Sequence, residues 1–256
     1  MTPLAVRRFG RAEGRRLTCV HGVTAFGGHF AGLAERLGPG FEVVAPDLLG
    51  HGDSLRDPPW SIEAHVDALV RAAGDRPGTW VGHSFGGRLA LEVAARRPDL
   101  VERLVLLDPA VWLPPHVARF VAENSLGARS YASLDEAVER RFEESRLERA
   151  DGALVAAELA QHLEERGDRL RYRYEQAAVV TAYSELAVRH PAFERARVET
   201  LVVLGEDSYL TYEHLEEEHR EALGDLLEIA TVPGGHTVLW DAPAETAAVV
   251  AAFLTR

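Results

Sequence analysis

Two kinds of apolar pattern alternate along the chain. One is a short, nearly continuous apolar run, found at Leu4 to Phe9, Arg15 to Val20, Glu42 to Asp47, Thr79 to His83, Arg103 to Leu107, Thr200 to Leu204 and Leu226 to Val232. Runs of this length, bounded by glycine, proline or aspartate, read as strands buried on both faces. The other pattern spaces its apolar residues three and four apart, as in Ile62, Val66, Leu69 and Val70, or Ala247, Val250 and Phe253. That spacing predicts helices with one buried face. Helices are also expected over His29 to Leu37, Arg88 to Ala95 and Glu213 to Leu223. Ser61 is placed to cap one helix, Pro243 to start another and Gly224 to end a third. Strand–helix alternation with continuous apolar strands predicts an α/β fold, with a mostly parallel central sheet flanked by helices. Ligands of such sheets gather outside the carboxyl ends of the strands. His21, Asp47, Ser84 and Asp108 all stand at such ends.

From Val111 to about Arg195 the alternation stops, and no buried strand is expected there. Ser133-Leu134-Asp135-Glu136 opens a helix carrying Val138 and Phe142. Asp151 opens another with Val155, Leu159 and Leu163 on one face, and Ala177 to Val188 is helical again. Arg169 to Tyr174 alternates Arg with Leu and Tyr, as an extended segment would, while Glu164-Glu165-Arg166 reads as a solvated helix face. The division predicted is a core of residues 1–110 and 196–256 with a helical insertion, residues 111–195. An insertion at this point of the chain is placed to cover the carboxyl edge as a cap.

Composition narrows the partners. A chain of 256 residues, 46% hydrophobic, suffices for one core and a modest insertion. Its net charge of −12 argues against a nucleic-acid partner. No apolar run approaches the roughly 20 residues of a membrane span, so no integral membrane association is expected. Met1 to Gly10 shows no apolar stretch of a secretory leader. Cys19 is the sole cysteine, which excludes an intrachain disulfide and fits a cytoplasmic location. It lies in an apolar strand and reads as a core residue.

The chemistry centres on Gly82-His83-Ser84-Phe85-Gly86-Gly87, between an apolar strand and a helix-forming run. A strand that must turn sharply into a helix puts its tip residue under backbone strain, and glycines two residues to either side leave room for the turn. The strain presents the Ser84 hydroxyl in the open, beside the N–H dipoles of the helix. A serine hydroxyl is a weak nucleophile without a base. His236 supplies a base candidate, after the last strand in Pro233-Gly234-Gly235-His236. Early in the chain, His21 to Gly28 forms a glycine-rich loop that can present N–H groups to an anion.

In this order the motifs resemble the α/β-hydrolase family over almost the full chain: His21-Gly22, Asp47-x-x-Gly50-His51-Gly52-x-Ser54, Gly82-x-Ser84-x-Gly86, and Gly235-His236 ahead of Asp241-x-Pro243. The resemblance implies an esterase-like serine hydrolase with a helical cap, acting on a small acyl substrate and needing neither metal nor organic cofactor. Ser84 would attack a carbonyl and His236 would carry the proton. The N–H groups of Phe85 and Val23 would form the oxyanion hole. His83 and His51 would shape the loops. The acid departs from the family pattern, which has Gly-x-x-Asp after the strand before the last. Here an ungapped reading from Gly205 puts Ser208 at that place, with Asp207 one position early. Asp108, after the preceding strand, is the other candidate, and both stay open. Serine rather than aspartate as nucleophile argues against epoxide hydrolase or dehalogenase chemistry. A carbon–carbon bond hydrolase and a non-catalytic ligand-binding protein on the same fold are the rival readings. Trp112, Phe120, Tyr131 and Tyr183 are candidates either to line an acyl pocket or to fill the core of the insertion.

Overall fold

The computed structural model describes residues 4–256. The strands and helices of the core run β1 (Val6–Gly10), β2 (Arg15–Val20), α1 (Ala31–Leu37), β3 (Phe41–Pro46), α2 (Ile62–Ala73), β4 (Gly78–His83), α3 (Phe85–Arg96) and β5 (Val101–Leu107). The insertion follows with α4 (Pro115–Asn124), β6 (Ser130–Tyr131), α5 (Leu134–Ser145), α6 (Gly152–His162), β7 (Leu163–Arg166), β8 (Arg169–Tyr172) and α7 (Gln176–Val188). The core then resumes with β9 (Thr200–Gly205), α8 (Glu213–Leu223), β10 (Leu227–Val232), α9 (Val238–Asp241) and α10 (Pro243–Leu254).

Seven strands form one sheet in the order β1-β3-β2-β4-β5-β9-β10. Only β1 runs antiparallel, against β3 at the edge. The central pair β4–β5 is in register from Trp80↔Leu104 to His83↔Leu107. Side chains alternate across the sheet. Trp80, Leu104 and Leu106 pack in one apolar layer with Leu69, Phe85 and Leu89, while Val81, Val105 and Leu107 pack in the other with Cys19, Phe30, Val203 and Val250. Burial on both faces explains why these strands read as continuous apolar runs, each large side chain contributing about 1.5–3 kcal/mol. Cys19 is fully buried and burial pushes its thiol pKa up, so it is an unreactive core residue.

Sequence signals at the helix ends hold. Ser61 Oγ accepts from the Ala64 N–H at 3.2 Å, Ser133 Oγ from Glu136 N–H at 3.1 Å, and Asp151 Oδ1 from Ala153 N–H at 2.8 Å. The insertion departs from expectation in one respect. It is not purely helical, because β6, β8 and β7 form a small antiparallel sheet. Glu164 to Arg166 belongs to β7 rather than to a helix. β8 lies in the alternating segment Arg169 to Tyr174 expected to be extended, whereas β6 and β7 are too short and too polar to show as apolar runs.

Backbone bonds join the insertion to the core. The Gly52 N–H donates to Arg173 O at 2.6 Å, and the Glu175 N–H to Gly50 O at 2.7 Å. On the other flank, Arg189 at the end of α7 reaches Glu92 of α3 at 3.2 Å, and Glu92 also holds the fully buried Arg88. No helix among the described residues is long and apolar enough to cross a membrane.

Candidate active site

Ser84 sits between β4 and α3 at φ 54°, ψ −123°. Only three non-glycine residues among those described have positive φ, and Ser84 and Asp108 are two of them. Backbone strain is therefore concentrated at two of the candidate site residues. The turn is tight enough to demand its glycines. A Cβ on Gly86 would lie 2.0 Å from Val20 O, and one on Gly82 would lie 2.3 Å from Gly86 O. The strained residue is held by the Ser84 N–H to Leu107 O at 3.1 Å, and by its carbonyl accepting from Gly87 and Ala110.

The hydroxyl faces His236, whose Nε2 lies 3.0 Å from Ser84 Oγ. The other ring nitrogen, Nδ1, lies 2.6 Å from Asp108 Oδ2. Asp108 is buried and accepts two more bonds, from Gly205 N–H at 2.9 Å and Ser208 Oγ at 2.6 Å. Of the two candidate aspartates, the structure brings Asp108 to His236 and leaves Asp207 out. Asp207 is exposed, and its backbone N–H is bonded to Gly234 O at 2.9 Å. The position that an ungapped reading assigns to an acid carries Ser208, which instead donates to the acid standing after β5.

Around this chain of bonds lie neutral histidines. His83 is buried and donates Nε2–H to His236 O at 3.0 Å; burial first, and the neighbouring His236 second, hold its pKa well below the ordinary histidine value. His21 accepts the Leu48 N–H at Nε2, so its proton sits on Nδ1 and is donated to Gly22 O at 2.8 Å. In a trans peptide the carbonyl and the following N–H point in opposite directions. Fixing Gly22 O therefore fixes the direction of the Val23 N–H. His51 adds a ring nitrogen 2.6 Å from Val23 O. A Cβ on Gly22 would lie 3.1 Å from Ser84 Cβ, so this loop abuts the hydroxyl directly. Phe85 opens α3, where the first N–H groups have no partner inside the helix.

One cavity of about 220 Å³ joins these groups to the insertion. Gly22, Val23, Ser84 and His236 line it from the core, and Arg141, Glu158, His162 and Tyr183 from the insertion. Of the four aromatic residues marked from sequence, only Tyr183 lines it. Phe120 is 65% exposed, Tyr131 is buried against Tyr172, and Trp112 packs beside His190 and His214. Sequence reasoning missed Arg141 and Glu158, and marked Ser208 only as standing where an acid belongs in the family pattern. Glu158 Oε1 meets His29 Nδ1 at 2.7 Å and its Oε2 accepts from Trp240 Nε1 at 2.6 Å, tying α6 to the core. Nothing in the local pattern of α5 or α6 distinguishes Arg141 or Glu158 from the solvated charges beside them.

A parallel sheet that gathers a serine, a histidine and an aspartate on its carboxyl edge defines a hydrolase-type α/β fold. The chain belongs to the alpha/beta hydrolase family, whose model matches residues 19–249. It is 38% identical over 260 residues to the lipase LipV of Mycobacterium tuberculosis, covering 96% of both chains. It is 30% identical to the mouse sn-1-specific diacylglycerol lipase ABHD11, over 92% of this chain and 79% of that one. The solved structure of E-2-(acetamidomethylene)succinate hydrolase superimposes with a TM-score of 0.86 at 24% identity, covering 99% of this chain and 95% of that one. Its likeness is one of fold.

Proposed function

We propose that this protein is a serine hydrolase that cleaves a carboxylic ester, or a related acyl bond, through an acyl-serine intermediate. The observation that carries the reading is the continuous relay from Ser84 Oγ through His236 to Asp108, at 3.0 and 2.6 Å, on a serine held at positive φ. Lipases among the relatives support the choice of an acyl bond.

In the proposed reaction each group has one task. Ser84 Oγ bonds to the substrate carbonyl carbon while His236 Nε2 takes the hydroxyl proton. The carbonyl electron pair moves to oxygen, and the N–H groups of Val23 and Phe85 hold that oxyanion. Collapse expels the alcohol, which receives the proton from His236. A water then repeats the sequence on the acyl-serine, releasing the acid and restoring Ser84. Asp108 keeps the His236 proton on Nδ1, so that Nε2 is free to accept, and stabilises the imidazolium. The insertion acts as a cap that closes the cavity from above. At about 220 Å³ the cavity is smaller than the roughly 300–1,000 Å³ that holds drug-sized ligands, which favours a small acyl group over a long chain.

A fluorophosphonate probe tests this directly. Labelling at Ser84, with esterase activity lost in step and absent from Ser84→Ala, is the expected result. Labelling elsewhere, or a fully active Ser84→Ala, overturns the reading.

A further inference from the structure

Two arginines among the described residues are more than nine-tenths buried, and they differ in what they face. Arg88 is paired with Glu92 at 3.1 Å and donates to Val111 O, and it serves to fasten α3 to its surroundings. Arg141, on α5, lines the cavity that contains Ser84, and among the described residues it has no carboxylate partner. Its Nε donates to the Tyr172 hydroxyl at 3.1 Å and its Nη1 to Ser145 Oγ at 3.4 Å, both neutral groups. Its guanidinium carbon lies 4.9 Å from the Tyr172 ring centre and 5.8 Å from that of Trp240. Aromatic faces steady the plane of a guanidinium and leave its edge donors available. Among the described residues Nη2 has no hydrogen-bond partner. Glu158 shares the cavity but forms no ion pair with Arg141, and both its oxygens are occupied by His29 and Trp240.

A guanidinium stays charged at any working pH, and buried charges are ordinarily paired. Neutral partners and ring faces leave this one short of an anion, on the wall of a cavity closed by a cap. We propose that Arg141 is the anchor for a carboxylate on the substrate itself, so that the preferred substrates are esters carrying a second, free carboxylate, such as half-esters of short dicarboxylic acids. The assignment rests on the ester-hydrolase reading and narrows it. The anchor positions the scissile carbonyl at Ser84 by holding the far end of the molecule, and a neutral ester of the same length lacks that hold.

The test pairs each charged ester with its neutral twin. Mono-aryl esters of dicarboxylic acids graded in length, and acyl esters of hydroxy acids, are compared with the same compounds capped as methyl esters. A charge-assisted hydrogen bond predicts a preference for one charged series of roughly 10- to 100-fold in kcat/KM at the best length. In Arg141→Met that ratio should fall towards one, and Arg141→Lys should keep part of it; a merely structural arginine would depress both members of each pair alike. Turnover of neutral esters at least equal to that of both charged series in the unaltered protein overturns the anchor while leaving the ester-hydrolase reading intact. Binding separates the two claims. Short dicarboxylates should raise the melting temperature of Ser84→Ala more than their dimethyl esters do, and this difference should vanish when Arg141→Met is added. No difference in Ser84→Ala overturns the anchor whether or not any ester is hydrolysed.

Discussion

The core side and the insertion side of the cavity are held by different means. On the core side the fixing groups are mostly backbone. Ser84 is pinned by the Leu107, Gly87 and Ala110 peptides, Asp108 by the Gly205 N–H, and the Val23 peptide by rings that grip the carbonyls of residues 22 and 23. On the insertion side, besides the two backbone bonds at Gly50 and Gly52, the fixing groups are side chains. Glu158 bridges to His29 and Trp240, His162 Nε2 donates to Thr24 O at 3.2 Å, and Arg56 reaches Glu164 and Glu175 from a partly exposed position. The contrast matches what each side would have to do in the proposed reaction. Bond-making groups lose about 10² in rate for an error near 1 Å, so they are built on strand ends. A wall that shapes a substrate tolerates longer and softer attachments, and it can be replaced without moving the nucleophile.

The largest effect expected from breaking this contrast lies on the core side. Asp108→Asn keeps the shape of the carboxylate but removes its charge and disturbs the tautomer of His236, so turnover should fall by up to about 10⁴. Asp207→Asn, on an exposed loop residue, should stay within about twofold, because surface changes away from named contacts are small. Steady-state turnover of both variants, with circular dichroism to confirm folding, checks the pair. A larger loss at Asp207 would move the acid to the loop after β9, one position before the place of the common pattern, and equal losses would leave Asp108 without its assigned role.

That contest also shows where sequence legibility ended. The strands of the sheet were readable because burial on both faces forces continuous apolar runs, and the elbow because sterics at Val20 and Gly86 admit only glycine. The acid was not readable, since spacing along the chain cannot report that Asp108 at the end of β5 and His236 after β10 converge across β9. The small sheet of the insertion was legible only in part. Alternation marks Arg169 to Tyr174 as extended, and β8 lies within it, whereas β7 carries Glu164, Glu165 and Arg166 in a row and β6 is two residues long, so neither alternation nor a buried run marks those two. Arg141 was invisible because a charge on a helix gives no sign of which face is covered until the fold is known.

Acid should stress both sides at once, through folding stability rather than turnover. Burial holds His21, His83 and His162 neutral and lowers His65 to a pKa of about 3. These rings titrate near 6.5 once unfolded. Below that pH the unfolded chain binds protons that the folded chain does not, so stability rises with pH and is lost on acidification, by up to about 1.4 kcal/mol per pH unit for each ring. The window opens at pH 6.5 and extends down towards the depressed folded values. Urea midpoints measured from pH 7.5 to 5 should fall steadily below 6.5, and a flat profile there would show that the rings are not held neutral. Replacing His65 by Gln should make the fall shallower, since one of the contributing rings is removed.

The smallest effect concerns Ser208, which sits where the common pattern has its acid. Its hydroxyl donates to the same Asp108 oxygen that meets His236, at 2.6 Å in each case, and its Oγ also accepts from the Leu210 N–H at 3.1 Å. Ser208 thus ties the loop after β9 to the carboxylate. Removing it with Ser208→Ala leaves Asp108 with two of its three bonds, so the acid should remain charged and in reach of His236. One hydrogen bond to a charged group is worth about 1.5–3 kcal/mol, and a nearby water offsets part of that. Turnover should therefore fall by roughly 10-fold, far short of the loss at Asp108. The loss should fall mainly on kcat, because Ser208 touches the proton relay and not the cavity wall. Ser208→Thr, which keeps the hydroxyl, should recover most of it. A loss in Ser208→Ala as deep as that in Asp108→Asn would mean that the loop after β9, and not β5, holds the carboxylate in place. An unchanged kcat would mean that the Gly205 N–H alone is sufficient.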